Sequence, residues 1–171
     1  EVKKFPLPYV TGCVATALAQ VMYYYRWPLT CPALDAYTTW SKGIEVPALP
    51  ATTFQWDKMQ LTYAGNETGD PANSVAELMR YVGQANEMDY NISSNGGSGA
   101  YIHQDVMFNT FGYSRNMYSA YRYEYSTVEW ENLIYQELAV GRPVLYSGTS
   151  YDAGADKFGG HQFICDGYDG N

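Results

Sequence analysis

Residues 11–28 read TGCVATALAQVMYYYRWP, and this stretch decides how the rest of the chain is interpreted. Its alanines favour a helix and allow a neighbouring element to pack closely against it. The proline at the end of the stretch stops the helix, because the residue before a proline leaves the α region. The pattern predicts a helix over residues 13–26, with its N-cap at Thr11 or Gly12. Apolar side chains recur at spacings of four, three and four on one predicted face: Val14, Leu18, Val21 and Tyr25.

Cys13 is the first residue of this predicted helix and directly follows Gly12. Unpaired backbone amides and the helix dipole stabilise negative charge at a helix N-terminus, so this position favours a thiolate. The glycine leaves room for a substrate carbonyl, and the amide of Cys13 would point toward an oxyanion formed on that carbonyl. These features predict a nucleophile. A buried cysteine that packs as a small hydrophobe is the open alternative.

His161 begins a predicted apolar strand and follows the glycine pair Gly159-Gly160. The two glycines leave one side of the imidazole uncovered, as a group that must meet substrate requires. A cysteine at a helix N-terminus and a histidine on a later strand form the general layout of a thiol nucleophile and its base. A structural histidine is the alternative for His161 taken alone, and the pair together favours the catalytic interpretation.

The composition excludes several classes of protein. A chain of 171 residues, 46% hydrophobic, is long enough for one domain with a real core. Lys and Arg number 10 against 18 Asp and Glu, a net charge of −8 that disfavours a nucleic-acid partner, because phosphate neutralisation needs clustered cations. No apolar run reaches the roughly 18 residues of a membrane span.

The cysteines and histidines predict no metal site. Three cysteines allow at most one disulfide, and a bridge between Cys31 and Cys165 is left open. Cys165 lies four residues after His161 on the same face of its strand and is interpreted as a core residue. No CxxC pair is present, and a zinc site would need His161 and the solvent-facing His103 to converge with distant cysteines. The thiol chemistry itself requires no cofactor.

The periodicity of the remaining sequence predicts helices first and strands second. Residues 28–52 show no clear period and are interpreted as an excursion over the surface. Further helices are predicted over 72–85, 100–111 and 127–140, the last with Val128, Leu133 and Leu138 inward. Strands are predicted over 116–125, 143–147 and 161–167, with a loop over 148–158.

This order indicates a single α+β domain over residues 1–171, with a helical subdomain over about 1–112 and an antiparallel sheet subdomain over about 113–171. The last strand ends in a turn sequence at Asp169-Gly170. Since such a strand should form a hairpin with a partner, we expect the domain to continue beyond Asn171.

Several motifs together resemble the streptopain-like cysteine peptidases of the papain-like clan. The two most specific blocks are TGCVATA at residues 11–17 and Gly159-Gly160-His161. The other motifs follow the family order over nearly the whole chain: Ala19-Gln20, Tyr24, Trp27-Pro28, Gln55-Trp56-Asp57, Glu77-Leu78-Met79, Met88-Asp89-Tyr90 with its Ser/Gly loop, Phe111-Gly112-Tyr113, Arg142-Pro143-Val144-Leu145-Tyr146, Phe163 and Asp166-Gly167-Tyr168-Asp169-Gly170.

The resemblance implies a papain-like fold and a bacterial endopeptidase that is secreted or held at the cell surface or in the periplasm. It implies that Cys13 is the nucleophile and His161 the base, with protein or peptide substrates and a role in virulence. It also implies a zymogen whose own propeptide inhibits the site. By position, it assigns contacts with the substrate backbone to Gly160 and Ser98.

The chain departs from the family pattern in three places, one of which is the segment upstream of Cys13, where parts of the family pattern are expected to be shortened or missing. Ser147 stands where the family often has a glutamine linked to substrate binding near the oxyanion, so that substrate-binding assignment falls on Ser147. The family's Asn-Trp-Gly-Trp-Gly-Gly stretch, which helps to orient the imidazole, is expected beyond Asn171.

Two other classes of function stay open. The same cysteine and histidine would serve a papain-clan acyltransferase or amidase, which shares the acyl-enzyme step with a peptidase. The 18 tyrosines would also suit a non-catalytic module that binds a protein or a glycan, because each tyrosine side chain combines a large apolar face with a polar hydroxyl. Selective labelling of Cys13 by a thiol-directed peptidase inhibitor would favour the enzyme. The sequence predicts no oligomeric state.

Overall fold

The helix predicted near the start of the chain forms over Cys13–Tyr25 (α1). Gly12 is its N-cap, and Arg26 ends it in the left-handed conformation, which is possible because its amide bonds back to the carbonyls of the last turn. This computed structural model describes residues 9–91, 97–154 and 157–169. The chain divides into two compact units, Glu1–Tyr113 and Ser114–Asn171.

The buried side of α1 is broader than the predicted face. Val14 and Leu18 are buried as predicted, whereas Tyr25 is 43% exposed. The alanines are buried instead, because a second helix, Asp70–Ala85 (α2), packs closely against α1. At the contact, the Cβ of Ala15 lies 3.6 Å from where a Cβ on Gly83 would be. Small residues on both helices therefore set their close approach.

Residues 28–52 contribute to the core of the first unit, so the prediction of an irregular surface excursion was wrong. They form parts of two short antiparallel ladders, β1 (Thr30–Cys31) with β4 (Thr52–Thr53) and β2 (Tyr37–Thr38) with β3 (Glu45–Val46). Cys31 and Val46 are each 1% exposed. Strands of two residues are too short to produce a recognisable alternation.

The remaining helical elements of the first unit are short. A 3₁₀ turn forms at Trp56–Lys58. The third helix covers Gln104–Asn109 (α3), which is shorter than the predicted 100–111. Its N-cap, His103, is exposed as predicted. Phe111 follows the helix and is buried.

Over its described residues, the second unit contains one α-helix and one hairpin. The helix Thr127–Ala139 (α4) matches the prediction over 127–140, although Val128, predicted to face inward, is 66% exposed. Its N-terminus carries a capping box, in which the Ser126 hydroxyl accepts from the amide of Glu129 and the Glu129 carboxylate accepts from the amide of Ser126. No strand forms over 116–125 among the described residues; a 3₁₀ turn at Arg122–Glu124 interrupts the stretch.

The two strands are longer than predicted, and they pair with each other in one hairpin. Strands Val144–Asp152 (β5) and Lys157–Cys165 (β6) pair antiparallel from Val144 opposite Cys165 to Asp152 opposite Lys157. The loop predicted over 148–158 is therefore mostly strand, because its tyrosine, serine and threonine residues continue the ladder. Residues 170 and 171, which end the predicted turn, lie outside the described residues. Across the described part of the chain, no helix is long and apolar enough to cross a bilayer.

Candidate active site

Cys13 is the first residue of α1, and its side chain is half-buried. Gly12 before it has φ +88°, and a Cβ at that position would lie 2.7 Å from the carbonyl oxygen of Ser98 and 3.1 Å from the Sδ of Met88. Position 12 therefore requires glycine for its backbone conformation and for lack of space. The Gly12 carbonyl accepts hydrogen bonds from both the amide and the hydroxyl of Thr16, at 3.2 and 2.9 Å. These contacts fix the turn on which Cys13 stands.

Ser98 is buried beside this turn, and its side chain joins two segments. Its hydroxyl donates to the carbonyl of Val10 at 2.5 Å and accepts from the amide of Asn91 at 2.9 Å. The amide of Val10 donates to the carbonyl of Asn91 at 3.0 Å. Because the hydroxyl is occupied inside the fold, any contact of Ser98 with substrate would have to come from its backbone. Residues 92–96 of the predicted Ser/Gly loop lie outside the described residues.

His161 lies within β6, and its imidazole is exposed. Gly148 is directly opposite on β5, so no side chain covers the ring from the partner strand. The ring of Phe163, two residues further along β6, stacks on the imidazole with centroids 6.1 Å apart and planes 21° apart. A Cβ at Gly159 or Gly160 would meet nothing within 4 Å, which agrees with the predicted open approach to the histidine.

Ser147 projects from the other face of the hairpin. It pairs with Gln162, the neighbour of His161, and side chains of consecutive strand residues alternate between faces. The Ser147 hydroxyl donates to the Oε1 of Gln162 at 2.5 Å, and the Nε2 of Gln162 donates to the carbonyl of Tyr146 at 2.8 Å. A substrate on the face of His161 would therefore meet the backbone of Ser147 and not its hydroxyl.

The other two cysteines are placed for packing. Cys31 is buried, and this burial raises the pKa of its thiol to about 12, so it stays protonated at neutral pH. Cys165 is half-buried, with its Sγ 3.8 Å from the carbonyl oxygen of Gly167. All three cysteines are free thiols. Among the described residues, no group of three or more His, Cys, Asp or Glu is arranged to hold a metal ion.

The predicted site residues thus fall into two groups. Cys13 and Ser98 come together around Gly12 in the first unit, and Gly160, His161 and Ser147 follow one another across the hairpin of the second unit. The meeting of Cys13 with His161 stays a prediction. Sequence reasoning missed the buried Met88 behind Gly12. It also gave no role to Phe163, although a phenylalanine two residues after the histidine on one strand must share its face.

Comparison with known proteins gives a consistent result over nearly the whole chain. The model of the peptidase C10 family matches residues 3–171. Streptopain of Streptococcus pyogenes is 34% identical over 168 residues, which are 94% of this chain and 40% of streptopain. The thiol protease/hemagglutinin PrtT of Porphyromonas gingivalis is 30% identical over 161 residues, 93% of this chain and 18% of PrtT. The chain thus spans less than half the length of these relatives.

Solved structures give the same relationship. Active wild-type interpain A, a cysteine protease of Prevotella intermedia, matches with a TM-score of 0.78 and 34% identity, covering 94% of this chain and 66% of that one. A fragment of prointerpain A carrying a Cys-to-Ala mutation matches with a TM-score of 0.74 and 32% identity, covering 97% of this chain and 52% of that one. These likenesses confirm the predicted papain-like α+β fold.

Proposed function

This chain belongs to the peptidase C10 family, as its motifs predicted, and on that premise we propose that it carries the catalytic pair of a cysteine endopeptidase. Cys13 is the nucleophile and His161 the general acid and base. The observation that carries the proposal is the position of Cys13, at the first turn of α1 behind a glycine whose positive φ and close neighbours disfavour any side chain. The names of the relatives, a thiol protease and a cysteine protease among them, support the same chemistry.

The reaction proceeds through a thioester. The Cys13 thiolate attacks the carbonyl carbon of the scissile peptide bond, and negative charge develops on the oxygen near the amide of Cys13. The His161 imidazolium then protonates the leaving nitrogen as the C–N bond breaks. In the second half, the neutral imidazole takes a proton from water, the hydroxide attacks the thioester, and the carboxylic acid leaves as the thiolate returns.

Substrate binding follows from the same arrangement. We assign backbone contacts with the peptide to Gly160, Ser98 and Ser147. The open space beside Gly160 suits an extended chain lying along the strand, and the hydroxyls of Ser98 and Ser147 are each engaged in a hydrogen bond within the fold, which leaves their backbone groups for such contacts.

The proposal extends to how the protein is made and where it works. One structural relative is the pro-form of interpain A, which supports synthesis of this protein as a zymogen inhibited by its own propeptide. The bacterial relatives support export to the cell surface, the periplasm or the medium, and a part in virulence.

Activity of the full-length protein on peptides tests the assignment. We expect Cys13→Ala to abolish turnover of a fluorogenic peptide, because removing the nucleophile removes the acyl-enzyme pathway itself. The matched control is Cys165→Ala, which removes a half-buried thiol outside the proposed chemistry and should retain activity. Unchanged proteolysis in Cys13→Ala would reject the proposal. Products formed only with added amine acceptors would indicate an acyltransferase, and binding without turnover in the wild type would indicate a non-catalytic module.

A further inference from the structure

Phe163 lies on the face of the hairpin that carries the imidazole of His161, and its ring contacts that imidazole. Strand alternation places positions 159, 161 and 163 on one face, together with Gly148, the cross-strand partner of His161. Positions 159 and 148 are glycines, so neither offers a side chain to the imidazole. Phe163 is the remaining adjacent position on this face, and its ring stacks on the histidine.

The contact has a geometry that restricts rotation. The imidazole and the Phe163 ring are 6.1 Å apart between centroids and only 21° from parallel, within the range of favourable offset stacking. The terminal torsion of a histidine is intrinsically broad, so an exposed imidazole with no neighbour would sample many orientations. The Phe163 ring lies against the face of the imidazole, so it excludes the orientations in which the imidazole plane would be perpendicular to the Phe163 ring.

Phe163 also contacts a second aromatic ring. Its ring stacks on Tyr146 of β5, with centroids 5.2 Å and planes 27° apart. Tyr146 meets Trp130 of α4 edge to face at 5.8 Å, and the indole nitrogen of Trp130 donates to the Tyr146 hydroxyl at 2.7 Å. The three rings in contact, Phe163, Tyr146 and Trp130, are thus connected to α4, whose N-terminus is stabilised by its capping box.

We propose that Phe163 is a positioning residue, which holds the His161 imidazole in one orientation at the end of an aromatic stack anchored on α4. The orientation is a property of the hairpin and does not depend on catalysis. Its consequence for the reaction rests on the proposed function, in which the same nitrogen of His161 must face the thiolate, the leaving group and then water.

Nuclear magnetic resonance of the histidine rings tests the contact between Phe163 and His161 directly. Full-length protein is labelled with ¹³C at the Cε1 atoms of its histidines. The substitution His161→Gln identifies the signal of His161, and the signal of His103 serves as the internal reference. Phe163→Leu should move the His161 signal by loss of the ring current and leave His103 in place, whereas Phe163→Tyr should retain the shift. Tyr135→Leu, which removes a ring packed on Tyr168 in the same unit, should leave both signals unchanged.

Kinetics then measure what the orientation contributes. Phe163→Leu should lower kcat about 10- to 100-fold with little change in KM, because a misoriented base slows chemistry more than binding. Phe163→Tyr should restore kcat. Thermal unfolding of each variant identifies any loss that comes from misfolding.

The two readouts separate this inference from the proposed function. A His161 signal that does not move in folded Phe163→Leu overturns the positioning role, whatever the activity. A signal that moves as expected, in a protein whose wild type hydrolyses no peptide, upholds the contact of Phe163 with His161 and contradicts the proposed function. A kcat in folded Phe163→Leu equal to that of an active wild type also overturns the positioning role.

Discussion

At the scale of single residues, Gly12 controls the position of the proposed nucleophile. Gly12 and Gly69 are both helix N-caps with positive φ, at +88° and +76°, in a region that only glycine adopts easily. They differ in their surroundings, because a Cβ at Gly69 would meet nothing within 4 Å, while one at Gly12 would strike Ser98 and Met88. Comparing alanine substitutions at Gly12 and Gly69 therefore separates the cost of backbone strain from the cost of steric conflict.

We predict that Gly12→Ala lowers the free energy of unfolding more than Gly69→Ala does. Backbone strain should cost about 1–3 kcal/mol in both variants, and overpacking should add about 1–3 kcal/mol for Gly12→Ala alone. Urea unfolding of the two variants and the wild type measures both values. Equal losses of unfolding free energy in Gly12→Ala and Gly69→Ala would show that the close approach of Ser98 to Gly12 is not present in solution.

Ser98 supports the same turn through its hydroxyl. Ser98→Ala removes the donor to the Val10 carbonyl and the acceptor for the Asn91 amide, and we expect it to cost about 1–3 kcal/mol of unfolding free energy. Ser114→Ala is the control, because its hydroxyl accepts from the amide of Asn116 at an exposed turn and its loss should cost less than about 0.5 kcal/mol. Similar losses in the two variants would contradict the structural role of Ser98.

The sequence predicted part of this site. Cys13 and Gly12 could be predicted because a helix start is a local pattern, and His161 because glycines precede it on an apolar strand. The hydrogen bonds of the Ser98 and Ser147 side chains could not be predicted, because they depend on Val10 and Gln162, whose positions follow from tertiary pairing and not from local spacing.

At the scale of elements, the corner between α4 and β5 is closed by one ion pair. The guanidinium of Arg142 donates to both carboxylate oxygens of Glu137, at 2.6 and 3.0 Å. The hydrogen bonds from Arg142 lower the pKa of Glu137 below its ordinary value. Because Glu137 is partly exposed to solvent, we expect this pair to contribute less than about 1 kcal/mol.

The sign of this contribution fixes its pH dependence. A carboxylate whose pKa is lower in the folded state stabilises the fold above its unfolded pKa, and this stabilisation is lost as pH falls through the folded value. The difference in unfolding free energy between wild type and Glu137→Gln should therefore be present at pH 7 and shrink below the ordinary glutamate value of 4.5. Chemical denaturation at pH 7 and pH 3 measures it. A difference that is the same at both pH values would contradict the role of the ion pair.

The sequence predicted elements well where they carry their own periodicity. α1, α2 and α4 formed within two residues of their predicted bounds, because each has caps and an apolar face. The strand predicted over 116–125 did not form. Its alternating Tyr121 and Tyr123 are 54% and 82% exposed, so they have no second layer to pack against. Alternation predicts a strand only where a partner completes the ladder.

At the scale of the whole molecule, the proposed catalytic pair draws one side chain from each unit, Cys13 from Glu1–Tyr113 and His161 from Ser114–Asn171. The order of helices before the long hairpin could be predicted from the chain, and so could the α+β class. The meeting of Cys13 with His161 does not follow from local spacing, because the two residues lie far apart in sequence and in different units. A chemical measurement of their coupling is therefore the most informative one.

The rate at which each cysteine of the full-length protein is alkylated tests the central claim most directly. With iodoacetamide and peptide mapping by mass spectrometry, we expect Cys13 to react faster than Cys165 and the buried Cys31 to react last. His161→Gln should slow Cys13 selectively, because the thiolate loses its imidazolium partner, and leave the rate of Cys165 unchanged. A Cys13 that reacts no faster than Cys165, or whose rate does not respond to His161→Gln, would contradict the assignment of this pair.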